Sequence, residues 1–157
     1  PIYFRLGRGR EPVVYHDGLP NFAFGKAITY RDGSDLTVIT NGLTMAAVVA
    51  AVETLAGEGL DCRLIDLHTV RPLDRDAIVR AARETGRIIT VEEHNITGGI
   101  GSAVAEVLAE EGIAIPFKRH GIYDEFAVIG PPAALYAHYR LDAPGIAEVV
   151  REWLAII

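Results

Sequence analysis

The sequence predicts an α/β fold: a three-layer α/β/α domain around a five-stranded, mostly parallel sheet with one antiparallel edge strand. Strand-like and helix-like segments alternate along the chain at roughly even spacing, which is typical of βαβ units. The strand-like segments are short and rich in β-branched residues, as expected for a sheet covered by helices on both faces. We expect the crossovers between parallel strands to be right-handed.

The antiparallel edge strand is expected from a hairpin near the start of the domain. Segments 26–31 and 36–40 are predicted strands, and they flank the turn-rich tetrapeptide Asp32-Gly-Ser-Asp35. A helix follows from about Leu43 to Glu58 and is nearly free of charge before Glu53. Because a helix that is apolar nearly all round is buried on more than one side, we expect its second side to face another domain or subunit.

The later elements have recognisable start and stop signals. A strand over 61–67 precedes a helix that Asp74 should cap and Gly86 should end. The last helix has Asp142 as its expected cap and Pro144 in its first turn. The other predicted elements are strands at 87–91 and 113–120 and helices at 102–111 and 133–138.

Composition narrows the class of partner and the compartment. The 157 residues suffice for one domain, and the formal charge of −6 argues against nucleic acid or an anionic membrane as the main partner. No apolar run is long enough to span a bilayer, and no signal peptide opens the chain. The single cysteine, Cys62, falls in a core strand and cannot form an internal disulfide, so we expect a cytoplasmic protein. Because the first residue is Pro1 and not Met, we expect a fragment or a processed half of a longer protein.

The strongest candidate site follows the strand 87–91. Glu92, Glu93 and His94 come at its carboxyl end, and Gly98, Gly99 and Gly101 open the next helix. In open α/β sheets this edge is where ligands and partners usually bind. The glycines could hold a phosphate at the helix N-terminus, but they depart from G-x-G-x-x-G. The alternative, which we favour, is that glycine lets the helix approach the sheet closely.

The Glu-Glu-His cluster also has two interpretations. It could be an acid–base group, or a polar strand end that binds a neighbouring loop or subunit. We favour the second, because no nucleophile, cofactor site or metal site is evident nearby. We therefore regard Glu92, Glu93, His94, Gly98, Gly99 and Gly101 as a possible interface or ligand turn.

Histidine and arginine supply two weaker candidates. His68, His94 and His120 each follow a predicted strand, which suggests a zinc site. However, His68 and His94 would lie about 10 Å apart across the sheet, so we predict no metal site. Arg5, Arg8 and Arg10 form a basic cluster that could bind a phosphate or could simply belong to a solvated linker.

Several of these motifs, in this order, resemble the carboxyl-terminal domain of the transketolase family. The matching segments are 33–42, His68-Thr-Val-Arg-Pro-Leu-Asp74, Thr90-Val-Glu-Glu-His94 with Gly98-Gly-Ile-Gly101, 121–126 and 139–146. Together they cover essentially the whole chain, and the forms at 68–74 and 91–94 look most like split transketolases. The resemblance implies a five-stranded sheet with four parallel strands, and it divides the chain into residues 1–20, the end of a pyrimidine-binding domain with its linker, and residues 21–157.

The resemblance also implies the function, the cofactor and the partners. The whole enzyme would transfer a two-carbon ketol unit between sugar phosphates, with thiamine diphosphate and Mg²⁺ bound by other domains at a dimer interface. This domain would assist assembly and would be inactive alone, and Arg8 would match the family arginine that binds the substrate phosphate. The resemblance places the catalytic residues of the family in other segments, so we predict no catalytic residue in this chain. The alternatives are deoxyxylulose-5-phosphate synthase, a 2-oxo-acid dehydrogenase β-subunit, or a stand-alone regulatory module with its own ligand.

Overall fold

One mixed sheet of five strands forms the centre of the domain, in the order β1-β3-β2-β4-β5. The computed structural model describes residues 1–4, 12–16, 18 and 22–157. Three of the four strand pairs are parallel and the β1–β3 pair is antiparallel, so the predicted fold class is confirmed. The strands are β1 (Ile28–Arg31), β2 (Leu36–Thr40), β3 (Cys62–Asp66), β4 (Ile88–Asn95) and β5 (Phe117–Ile122), and the helices are α1 (Met45–Gly57), α2 (Arg75–Thr85), α3 (Ile100–Glu110), α4 (Pro132–His138) and α5 (Ala143–Leu154).

Two hydrophobic cores lie on opposite faces of the sheet. Val38 and Leu64 face α1 and α5, and Trp153 of α5 closes that side. Ile39 and Ile65, one residue further along their strands, face α2 and α3. Successive side chains of a strand point to opposite faces, so β-branched strands buried on both faces supply both cores.

The predicted hairpin is wrong, although the edge strand is antiparallel as expected. β1 pairs with β3 and not with β2, with Ile28 opposite Asp66. The Asp32–Asp35 turn is bound to the start of β3, because Ser34 N–H and Asp35 N–H both donate to the Asp61 carbonyl oxygen, at 3.1 and 2.9 Å. A Cβ on Gly33 would lie 2.4 Å from the Cys62 carbonyl carbon. The glycine therefore lets the turn pass across the end of β3, which occupies the position between β1 and β2.

The predicted caps are present. Asp74 accepts a hydrogen bond from Ala77 N–H at the start of α2, and Asp142 accepts one from Gly145 N–H at the start of α5. Gly86 follows α2 with φ 66°, the left-handed conformation that favours glycine. Such local signals were sufficient to place both ends of α2.

Helix α1 is covered on its second side by α5. Val48 and Val52 are 0% and 1% exposed and belong to the core that includes Val150 and Trp153. The apolar surface of α1 is therefore explained by packing within this domain, without a neighbouring domain. None of the helices in the described ranges has the length and apolarity needed to cross a membrane.

Candidate functional site

The carboxyl end of β4 and the start of α3 are joined by a buried carboxyl group. β4 continues to Asn95, so Glu92, Glu93 and His94 lie inside the strand and not after it. The Glu92 side chain is 0% exposed and points at the first turn of α3, where Gly101 N–H donates to its Oε1 at 3.2 Å. The N-terminus of α3, which could have bound an anion, is therefore occupied by an acidic group of the same domain.

Two glycines make room for this carboxyl group. A Cβ on Gly99 would lie 1.9 Å from Glu92 Oε2, and a Cβ on Gly101 would lie 2.5 Å from Glu92 Oε1. Gly98 has no atom within 4 Å of its Cβ position, but it has φ +81°. The structure thus supports close approach of helix and sheet as the role of Gly99 and Gly101, whereas Gly98 allows the turn.

The turn between β4 and α3 is held by its own hydrogen bonds. Gly98 N–H donates to Ser102 Oγ at 2.9 Å, and Ser102 Oγ donates to the Ile96 carbonyl oxygen at 3.2 Å. Arg119 of β5 donates to that same carbonyl oxygen at 3.0 Å. These contacts fix the turn without any external ligand.

The electrostatics of Glu92 reflect its burial. Desolvation raises the pKa of Glu92 above its usual value, and the nearby His94 ring and the N–H groups of Gly101 and Ile100 offset part of this shift. His94 Nε2 lies 3.7 Å from Glu92 Oε2, and the His94 side chain is 52% exposed. Because Glu92 is shielded from solvent, a substrate outside the domain has no direct access to it.

Glu93 and Tyr136 connect β4 to α4. The Tyr136 hydroxyl donates a hydrogen bond to Glu93 Oε2. Burial, the hydrogen bond and the adjacent charge of Glu93 raise the pKa of Tyr136 to about 12. This contact links Glu93 to α4 of the same domain, and the role of the Glu-Glu-His segment as an interface or ligand turn stays a prediction.

The three strand-end histidines lie in separate environments. His120 is buried, and its Nε2 donates to the Arg140 carbonyl oxygen at 2.8 Å. His68 Nδ1 lies 2.8 Å from Thr69 Oγ1. Since β2 lies between β3 and β4, His68 and His94 belong to strand ends that are not adjacent. Within the described residues, no group of three or more His, Cys, Asp or Glu side chains could hold a metal ion.

The two remaining candidate sites from the sequence are Cys62 and the arginine cluster. Cys62 is 0% exposed, and burial raises the pKa of its thiol to about 12, as expected for a core side chain that is not a nucleophile. Arg5, Arg8 and Arg10 lie outside the described residues. The assignment of Arg8 to a substrate phosphate therefore stays a prediction.

Sequence reasoning missed an exposed apolar segment between β5 and α4. Tyr123 and Val128 are each 50% exposed, and Phe126 and Ile129 are each 104% exposed. Val128 N–H donates to the Tyr139 hydroxyl at 2.9 Å, so the segment is attached to the domain while these side chains remain uncovered. We call residues 123–129 the apolar loop. Its signal was visible in the sequence as four large apolar residues within seven, outside any predicted strand or helix.

Two surface clefts lie away from the strand ends. One is lined by residues of β1, β3 and α2, where Arg63 forms ion pairs with Asp32 and Glu84. The other lies between α1 and α5, beside an ion pair between Arg151 and Glu58. Both clefts are open to solvent and lined by paired charges, so neither competes with the β4–α3 turn as a candidate site.

Residues 25–146 match the family profile described as "Transketolase, C-terminal domain". The chain belongs to the transketolase C-terminal domain family. This transketolase C-terminal domain is 42% identical over 154 residues to one of the subunits of an apulose-4-phosphate transketolase from Phocaeicola vulgatus, covering 98% of the chain and 49% of that protein. It is 39% identical over 155 residues to 1-deoxy-D-xylulose-5-phosphate synthase from Syntrophotalea carbinolica, covering 98% of the chain and 24% of that protein.

Solved transketolase structures share the fold of this transketolase C-terminal domain. A split-gene transketolase, solved as an inactive tetramer of beta chains, superposes with TM-score 0.80 and 35% identity, covering 92% of this chain and 46% of that one. A transketolase variant from Pichia stipitis shares the fold, with TM-score 0.61, at 16% identity. The chain thus spans about half the length of the split transketolase subunits that it matches.

The diphosphate of the cofactor implied by the family resemblance does not fit the start of α3. A diphosphate at the start of α3 would meet the Glu92 carboxyl group, which already accepts the Gly101 N–H. The described residues also lack a group of acidic, histidine or cysteine side chains suited to a divalent cation. We therefore derive no chemical step at thiamine diphosphate from these residues.

Proposed function

We propose that this chain is the carboxyl-terminal domain of a transketolase-like enzyme and that it serves in assembly of the holoenzyme. The whole enzyme would transfer a two-carbon ketol unit between sugar phosphates. The observation that carries this proposal is the internal occupation of the α3 N-terminus by Glu92. Glu92 thus fills, from within the domain, the place at this sheet edge where an anionic ligand could bind, as suits a structural role in a larger enzyme.

The proposed partner is the amino-terminal part of the same enzyme, as a subunit or as preceding domains, in a cytoplasmic dimer. Support comes from the coverage of relatives, since the chain matches 49% of a protein whose name makes it one subunit of a transketolase. The apolar loop supplies a contact surface of the required kind, because exposed apolar side chains grouped together mark association sites.

Cofactor titration tests this proposal directly. We would titrate thiamine diphosphate with Mg²⁺ calorimetrically into this chain, and then into the same chain combined with the amino-terminal partner from its source organism. We expect saturable binding and two-carbon transfer with the combined protein and no saturable binding with this chain alone. Saturable binding at micromolar affinity by this chain alone would overturn the proposal and make the β4–α3 turn a ligand site.

A deoxyxylulose-5-phosphate synthase is the second candidate, favoured by the 39% identity to such an enzyme across 98% of this chain. The two candidates differ in substrate. The assembled enzyme, supplied with pentose phosphates in one assay and with pyruvate in another, separates them. Turnover of pentose phosphates supports the transketolase, whereas turnover that requires pyruvate supports the synthase or a 2-oxo-acid dehydrogenase.

A further inference from the structure

A tyrosine of the amino-terminal linker is attached to the end of β3. The Tyr15 hydroxyl donates to Asp66 Oδ2 at 2.8 Å, across 51 positions of sequence. Asp66 is the last residue of β3 and is 7% exposed. Its carboxyl group is removed from water, so this hydrogen bond is worth more than one made at the surface.

Packing accompanies the hydrogen bond. The Tyr15 ring meets the Tyr30 ring of β1 edge-on, with centroids 5.6 Å apart. The neighbouring Val14 packs against the core between the sheet and helices α1 and α5. A linker that simply ran through solvent would make neither contact.

Residues 22–27, the next described part of the amino-terminal segment, contact the loop after β3. The centroids of the Phe22 and His68 rings lie 4.6 Å apart, and Gly25 N–H donates to Thr69 Oγ1 at 3.4 Å. Ala27 N–H donates to Asp74 Oδ2 at 2.9 Å. The chain is thus attached to the loop at 68–74 as well as to the end of β3.

We infer that Tyr15, Tyr30 and Asp66 form a clamp that fixes the amino-terminal linker on the domain and so positions the polypeptide that precedes it. This inference rests on the proposed function for its role, since the preceding residues include Arg8, the predicted phosphate ligand. Arg8 lies seven positions before Tyr15, and a fully extended chain of that length spans at most about 25 Å. With Tyr15 fixed on the domain, the reach of Arg8 is limited to that distance from Tyr15. In this scheme Tyr15 is a positioning residue.

The second carboxyl oxygen of Asp66 has no hydrogen-bond partner among the described residues, which makes the Tyr15–Asp66 hydrogen bond important for this carboxyl group. That oxygen, Oδ1, is buried, and the Tyr15 hydroxyl donates to the other oxygen, Oδ2. Burial raises the pKa of Asp66, and the Tyr15 hydrogen bond opposes that shift. Removing the donor leaves a buried carboxyl group without a side-chain partner, which is costly.

The test uses the assembled enzyme and the variant Tyr15→Phe, which keeps the ring and removes the donor. We expect hydrogen exchange of the peptide covering 12–18 to become at least tenfold faster. Tyr30→Phe is the matched control, since it keeps the edge-on ring contact and leaves the Tyr15–Asp66 hydrogen bond in place; its exchange rate should stay within twofold of wild type.

Asp66 gives a second, independent variant. Asp66→Asn keeps an oxygen that accepts from Tyr15 and should keep slow exchange, whereas Asp66→Ala should match Tyr15→Phe. Combining Asp66→Ala with Tyr15→Phe should add no further acceleration, because both remove the same contact. Exchange in folded Tyr15→Phe within twofold of wild type would overturn the clamp.

Kinetics separate the clamp from the proposed function. With the clamp and the Arg8 role both correct, Tyr15→Phe raises KM for the phosphorylated substrate at least threefold and leaves kcat within twofold. Faster exchange with an unchanged KM would keep the clamp and would remove the assigned role of Arg8. An assembled wild-type protein without two-carbon transfer would overturn the proposed function alone, since the exchange measurement does not depend on activity.

Discussion

At the scale of single residues, Glu92 shows how one side chain determines what a sheet edge can do. A free α3 N-terminus would offer N–H donors and a positive dipole end to a phosphate. Glu92 Oε1 lies 3.2 Å from the Gly101 nitrogen and the side chain is completely buried, so the Gly101 N–H already has an acidic partner. The same glycines that predict a ligand turn in the sequence serve here to admit a carboxyl group of the protein itself.

The raised pKa of Glu92 predicts how stability depends on pH. A folded-state pKa above the unfolded value of about 4.5 means that the folded state binds more protons between these two values. The free energy of unfolding should therefore fall as the pH rises through that range. In Glu92→Gln this decrease should become smaller, with Asp66, whose pKa burial also raises, contributing the remainder, and stability at neutral pH should equal or exceed that of wild type. Urea unfolding measured from pH 4 to pH 8 checks this.

A matched control for Glu92→Gln is Glu106→Gln, an exposed position on the same helix α3. It should keep the wild-type dependence of stability on pH. A Glu92→Gln variant whose stability decreases as steeply as that of wild type would show that another group is responsible.

At the scale of elements, the sequence predicted that α1 is buried on two sides but did not predict which element covers its second side. Its charge-poor composition correctly predicted burial on two sides. The identity of the second neighbour was not predictable from α1 alone, because α5 lies almost 90 residues further along the chain. Caps such as Asp74 were predictable, since a cap depends on residues within one turn of the helix.

Helix α1 also yields a stability prediction. Val48→Asp places a charge at a position that is 0% exposed, inside an apolar core, and should lower the free energy of unfolding by roughly 4 kcal/mol or more. Ala50→Asp, at an exposed position of the same helix, should change it by less than about 1 kcal/mol. Thermal melting of this chain without any partner checks both, and a Val48→Asp variant that melts like wild type would contradict the packing of α1 against α5.

At the scale of the whole molecule, the fold class was predictable and the strand order was predictable in part. The β3-β2-β4-β5 order matches the common doubly wound order 2-1-3-4, which alternating strands and helices suggest, but the position of β1 does not follow from that order. A turn such as Asp32-Gly-Ser-Asp35 is chemically suited to a hairpin, and only its contacts with Asp61 and Cys62 reveal that it passes across another strand. Likewise the internal role of Glu92 was missed, because the predicted strand ended at Val91 and placed Glu92 after it, whereas β4 continues to Asn95.

Assembly is the whole-molecule property that the apolar loop should control. The double variant Phe126→Ser/Ile129→Ser removes two fully exposed apolar side chains, so it should leave the melting temperature unchanged and weaken association with the amino-terminal partner at least tenfold. Ile156→Ser, which is 80% exposed at the other end of the chain, serves as control and should keep wild-type affinity. Analytical ultracentrifugation of the mixtures gives both numbers, and equal affinity for all three proteins would place the interface elsewhere.

The placement of β1 has a consequence for the order in which the sheet forms during synthesis. A hairpin strand could pair as soon as its neighbour left the ribosome, but β1 pairs with β3, whose last residue follows Arg31 by 66 − 31 = 35 positions. At about 5–20 residues per second, β1 waits roughly 2–7 s for its partner. Through that interval its backbone donors and acceptors remain unpaired, so the edge strand is synthesised first and joins the sheet later.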